Sequence, residues 1–132
     1  MFVQVGAKGD ASVTVNTTNT ALAMGSGNVP AFATPALVAL MERAAVEAIR
    51  RKLEGGEETV GSMISVRHLA PTPIGKRVRA EAVVTAVDGR KITFTVNAWD
   101  AVEKVGEGTH ERVLIDRDRF VFSLAKKGMP DL

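Results

Sequence analysis

Residues 34–53 constrain this chain more than any other stretch. Between Pro35 and Ile49 the only charged residues are Glu42, Arg43 and Glu47, and everything else is apolar or small. Thr34 can supply an N-cap, Pro35 takes the favoured first helical position, and the pattern persists to Leu53 before Gly55-Gly56 stops it. The expectation is a helix of about five turns, roughly 30 Å long. At ~100° per residue, Arg43, Glu47, Arg50, Arg51 and Glu54 fall on one narrow solvated stripe, with Arg43 and Glu47 as an i,i+4 pair. The rest of the circumference is apolar, as in a helix that a curved sheet encloses.

The C-terminal part of the chain can supply that enclosure. After Gly55-Gly56 the hydrophobic period changes from 3.6 to 2. A strand is predicted over residues 59–69, with Val60, Ile64 and Val66 on one face. Val78, Ala80, Ala82 and Val84 mark the next, and Asp88-Gly89 signals a hairpin turn. Ile92, Phe94, Val96 and Ala98 form the inward face of a further strand, and residues 106–115 make another. The tail beyond Asp116 suggests one more short pairing. Upstream, residues 10–16 alternate as a modest strand, and residues 19–30, rich in Gly, Asn and Ser, read as a flexible loop. Consecutive hairpin-linked strands give an antiparallel sheet, so the fold class is α+β, a sheet of about five strands wrapped around one helix. At 132 residues one domain, 1–132, accounts for the whole chain.

Composition narrows the chemistry. The chain has no cysteine, which excludes disulfides, thiolate metal sites and cysteine nucleophiles, and fits a cytoplasmic location. It has two histidines, His68 and His110, so a three-histidine metal site is impossible; no metal or cofactor is expected. Net charge is +2 with dispersed basic residues, which gives nucleic-acid binding little support. Neither a membrane helix nor a signal peptide is expected. Walker A, G-x-S-x-G and H-E-x-x-H motifs are absent. Gly106-Glu107-Gly108 lacks the rest of a dinucleotide fingerprint and reads as a bulge or a close backbone approach.

Two polar residues break the apolar pattern. Glu42 lies roughly 120° from the centre of the charged stripe, among Val38, Ala45 and Ile49. A carboxylate there is costly to desolvate unless it reaches water, finds a partner or is used. His68 shares parity with Ile64 and Val66. Each alone suits a structural role, but together they form the kind of pair that acid–base chemistry needs. Thr34 is either an ordinary cap or a hydroxyl held where the helix dipole favours negative charge.

These residues sit in stretches that resemble the hotdog-fold acyl-CoA thioesterases, and within them the fluoroacetyl-CoA thioesterase-like family. The resemblance runs over residues 29–120. It includes Phe32-Ala33-Thr34-Pro35 with Leu40-Met41-Glu42, the H-x-A-x-T-P-x-G turn from His68 to Gly75, and G-x-G-T-H-E-R from Gly106 to Arg112. It implies a hotdog fold, hydrolysis of a short-to-medium-chain acyl-CoA, and a catalytic set on Thr34, Glu42 and His68. It further implies that Gly61 contacts the thioester region through its backbone and that Arg112 and Phe32 line the substrate. Gly61 alone would suit a close strand approach, and Arg112 an exposed strand cation. His110 matches no catalytic position and reads as structural. A non-catalytic hotdog module that binds acyl-CoA is the alternative. A hotdog dehydratase is disfavoured, since the D-x-N-P-x-H signature is missing.

In the implied mechanism Glu42 activates water or the Thr34 hydroxyl, while His68 handles the proton and the developing charge. Eight helical residues rise about 12 Å, however, so Thr34 and Glu42 cannot share a hydrogen bond on one regular helix. A turn folding back at Thr34 or a second chain would resolve this. An exposed sheet edge also favours a homodimer, or a dimer of such dimers. The fluoroacetyl-selective branch resembles a design with aromatic residues in the loop before the helix. Here Met24-Gly25-Ser26-Gly27-Asn28-Val29-Pro30 has none, which suggests broader acyl selectivity.

Overall fold

The computed structural model describes residues 1–129. Strand β1 (Lys8–Thr14) and a single helical turn, α1 (Ala21–Met24), precede the main helix α2 (Thr34–Ile49). Then come β2 (Glu57–His68), β3 (Arg77–Asp88), β4 (Lys91–Trp99), β5 (Lys104–Asp116) and a terminal helix α3 (Arg117–Lys127). The strands form one antiparallel sheet in the order β1-β3-β4-β5-β2. The sheet packs around α2 as expected.

The core lies between α2 and the inner face of the sheet. Leu37, Leu40, Met41, Ala44, Ala45, Ala48 and Ile49 are buried on the helix. They meet Val78, Ala80, Ala82 and Val84 of β3 and Ile92, Phe94, Val96 and Ala98 of β4. Strict alternation on both strands makes this wall, because period-2 apolar positions all face one side of a pleated sheet. The Asp88-Gly89 signal is realised as a tight connection, with Gly89 at φ +60° in the left-handed region that glycine tolerates.

Several details differ from expectation. Thr34 does not cap α2: Ala33 is the N-cap, and Thr34 is the first helical residue. The α-helix ends at Ile49, and a 3₁₀ turn, Arg50–Lys52, carries the chain onward. Glu47 pairs with Arg50 at 3.3 Å rather than with Arg43. The loop over residues 19–30 contains α1, which Thr20 caps through Oγ1 to the Ala23 N–H. The tail after Asp116 forms α3 instead of a strand pairing. Its local signals outweigh sheet propensity: Asp116 caps the Arg119 N–H at 3.0 Å, Asp118 sits in the first turn, and Lys126 and Lys127 in the last.

The difference that matters most is in β2. Its register against β5 shifts between Gly61 and Met63, leaving Ser62 as an extra residue. Gly61 is opposite Arg112 and Ile64 is opposite His110, so Thr59 and Gly61 share a face with Ile64, Val66 and His68. Val60 is thereby turned to the other face, contrary to simple alternation. The bulge brings Thr59 and Gly61 to the side where α2 lies.

Candidate active site

The structure places the expected site residues in two clusters. The first forms where α2 begins. Because Thr34 is not used as a cap, its hydroxyl reaches across to the end of β2, where Oγ1 lies 2.8 Å from His68 Nδ1. Backbone N–H groups at this helix start precede the first intrahelical bond, from Leu37 N–H to Ala33 C=O at 2.9 Å. They add positive character beside the hydroxyl. A cleft of about 350 Å³ opens here, lined by Ser26, Gly27, Val29, Phe32, Thr34 and His68. Phe32 is nearly fully buried, so it contributes a wall and not a movable lid.

Burial pushes the His68 imidazole below its ordinary range, and the nearby Ala70 backbone partly opposes this. The ring is therefore neutral at pH 7. Its Nε2 is buried and finds no partner of good hydrogen-bond geometry among the described residues.

The second cluster lies two turns further along α2. Glu42 is half-exposed, and its Oε2 sits 3.3 Å from Arg112 NH1 and 4.0 Å from His110 Nε2. Arg112 is only 6% exposed, which corrects the picture of a solvated strand cation. Its Nε donates to Thr59 Oγ1 at 2.9 Å and NH2 to the Thr59 carbonyl at 3.0 Å. Burial lowers the Arg112 pKa, while the adjacent Glu42 opposes the shift. An arginine starts so far above neutrality that it remains a cation. Gly61 lies against this cluster: a Cβ there would collide with Glu42 Oε2 and come within 3.3 Å of the His110 ring. Only glycine lets the carboxylate and the bulged strand approach so closely. A second cleft, about 410 Å³, is lined by Asp10, Ala11, Glu42, Val46, Glu47 and Arg112, with Arg43 beside them.

Thr34 and His68 are thus brought together, as are Glu42, Gly61 and Arg112, but no hydrogen bond or ion pair among the described residues joins the two clusters. Two members of the second cluster escaped the sequence reading. Thr59 was masked by the bulge. His110 read as structural, although its i,i+2 spacing from Arg112 places both on one strand face.

The fold has close counterparts among solved structures. FlK, a fluoroacetyl-CoA thioesterase of known structure, superimposes with a TM-score of 0.89 at 33% identity, covering 97% of this chain and 98% of that one. A thioesterase superfamily member from Thermus thermophilus gives a TM-score of 0.85 at 28% identity, over 94% and 93% of the two chains. These matches define a hotdog-fold thioesterase, an enzyme class that hydrolyses thioesters. The profile of the fluoroacetyl-CoA-specific thioesterase family matches residues 15–118. A Streptantibioticus cattleyicolor protein named fluoroacetyl-CoA thioesterase is 42% identical over 96 residues, 73% of this chain and 69% of that protein. The chain belongs to the fluoroacetyl-CoA-specific thioesterase family.

Proposed function

We propose that this enzyme hydrolyses short-to-medium-chain acyl-CoA thioesters at a site shared across a homodimer, where Thr34 and His68 of one chain face the partner's Glu42. The observation that carries this is the 2.8 Å contact between Thr34 Oγ1 and His68 Nδ1, made while Glu42 stands in a different cluster. Acyl-CoA as substrate is supported by a FlK variant solved with acetyl-CoA, 32% identical to this chain.

The dimer follows from the sheet. β2 is an edge strand, and twelve residues of unpaired edge invite a second copy. Antiparallel pairing of two β2 strands about a central two-fold axis sets the His68 end of one beside the Thr59–Gly61 half of the other. The partner's Glu42 and Arg112 then approach the Thr34–His68 cleft, which also removes the 12 Å difficulty along one helix.

Chemistry at such a site balances simply. His68, with its proton on Nε2, accepts the Thr34 hydroxyl proton at Nδ1 as Oγ1 attacks the thioester carbonyl. The N–H groups at the start of α2 stabilise the tetrahedral oxyanion. When the C–S bond breaks, the imidazolium returns the proton to the leaving thiolate, giving free CoA. The partner's Glu42 then takes a proton from water as that water attacks the acyl-threonine. It returns the proton to Thr34 Oγ1 as the ester C–O bond breaks, releasing the acid and restoring both the hydroxyl and the carboxylate.

Subunit mixing tests the shared site. Glu42→Gln and His68→Ala homodimers should each be nearly inactive. Random re-pairing makes half of the dimers mixed, each with one intact site of two, so about a quarter of wild-type turnover should return. If each site lay within one chain, every site would carry a defect and mixing would restore nothing.

A further inference from the structure

His110 is the buried titratable group that the proposed chemistry leaves unused. It is 1% exposed, and its ring stacks on Phe94 with centroids 5.8 Å apart. Its Nδ1 lies 2.7 Å from the Met63 carbonyl oxygen. A carbonyl can only accept, so Nδ1 carries the proton. The neutral ring then has a lone pair on Nε2. That atom lies 3.2 Å from Arg112 NH1, which can only donate. Both contacts demand the same tautomer, and burial together with the neighbouring Arg112 charge keeps the ring neutral.

We propose that His110 is a positioning residue: its fixed Nδ1–H tautomer holds Arg112 NH1 in place, and through it the Glu42 carboxylate. The guanidinium is anchored at Nε and NH2 by Thr59 alone, while NH1 divides its donors between His110 Nε2 and Glu42 Oε2. Without the Nε2 acceptor, NH1 has no partner among the described residues but the carboxylate, and the side chain can turn toward Glu42 or the cleft. The Met63 carbonyl that orients the imidazole comes directly after the bulge residue Ser62, so the bulge sets the histidine as well as Gly61. This inference rests on the reading that Glu42 takes part in catalysis.

Two substitutions separate positioning from packing. The amide of glutamine reaches the place of Nε2, whereas that of asparagine reaches only the place of Nδ1. His110→Gln should therefore keep kcat within about threefold, and His110→Asn should lose about 10²-fold in kcat with little change in KM, the size expected for a misplaced catalytic group. Equal losses in both variants, or losses that track thermal stability alone, would overturn the proposal. Nitrogen-15 NMR of the wild-type imidazole gives an answer even if neither variant folds. A protonated Nδ1 with a bare Nε2 is expected, and the opposite tautomer overturns it. Glu42→Gln measured alongside tests the underlying reading separately: full turnover there removes Glu42 from catalysis, while the NMR result still decides how His110 holds Arg112.

Discussion

The β3–β4 wall and the edge strand β2 belong to one sheet and differ in nearly every physical respect. On the wall, eight alternating apolar residues, Val78 to Val84 and Ile92 to Ala98, are buried against α2 without a polar atom among their side chains. On β2 the alternation breaks at Ser62, no side chain is fully buried, and the inward positions include Thr59, Gly61 and His68. The wall gains its stability from removing apolar surface from water. β2 instead places polar groups at set distances from α2 and forms an outer edge of the sheet.

Substitution should separate these two roles. His68→Ala and Glu42→Gln are each expected to lower turnover by at least ~100-fold, the range for acid–base groups, with little loss of stability because both positions are partly exposed. Thr34→Ala should cost as much if the hydroxyl is the nucleophile, and Thr34→Ser should retain activity. Conversely Leu37→Ala, on the fully buried face of α2, should destabilise by about 2–5 kcal/mol while leaving kcat of the folded enzyme near normal. Steady-state kinetics beside urea unfolding would decide. Near-normal turnover in Glu42→Gln would end the shared-site mechanism.

Gly61 sharpens the contrast from the β2 side. Alanine there meets the end of a flexible Glu42 side chain, which can move aside, so thermal stability should change little. The displaced carboxylate should nevertheless cost about 10²-fold or less in kcat, as ångström-scale misplacement does. Unchanged kinetics would mean that Glu42 need not occupy its observed position.

The same contrast explains what could be read from the residues alone. The wall and the helix were legible because burial on one face enforces a period, and Val78, Ala80, Ile92 and Phe94 obey it without exception. Glu42 and His68 stood out as departures from that period. The bulge was not legible, since inserting Ser62 costs little in composition and makes Val60 appear to face inward. His110 was hidden for the same reason: its partner Met63 carbonyl is backbone chemistry, which no side-chain pattern records. The tail after Asp116 was expected to pair as a strand, because the alternation of the preceding strand runs up to it. The α3 signal, by contrast, is a single Asp cap with acidic and basic residues at opposite ends of a short segment.

A pH series probes the first cluster. In the proposed mechanism His68 is the general base and must be neutral, so kcat/KM should rise with pH through its pKa and then level off. Burial depresses that pKa, so the acid limb should lie below the ordinary histidine value of about 6.5. The sign for stability agrees. His68 and His110 both have depressed pKa values in the folded state, so their contribution is complete above about pH 6.5 and is lost as pH falls through the folded-state values. An acid limb above that of free histidine would show that another group is the base.

The smallest expected effect concerns the acyl group. The cleft at Thr34 and His68 is walled on its loop side by Ser26, Gly27 and Val29, and the only aromatic side chain lining it is the buried Phe32. Internal hydrogen bonds, Leu22 N–H to the Val29 carbonyl at 3.2 Å and Ser26 N–H to the Ala21 carbonyl at 3.0 Å, hold this loop in shape. Its small side chains still leave the cleft open to water. Distinguishing fluoroacetyl from acetyl means sensing one atom, and a single contact in an apolar pocket is worth only about 1–3 kcal/mol even with tight walls. An open cleft should do worse, so kcat/KM for fluoroacetyl- and acetyl-CoA should agree within about tenfold, with butyryl- and hexanoyl-CoA also turned over. Measured under one set of conditions, a fluoroacetyl preference above about 10³-fold would exceed what such walls supply. Selectivity would then have to come from the polar side, through Arg112 or the Gly61 backbone.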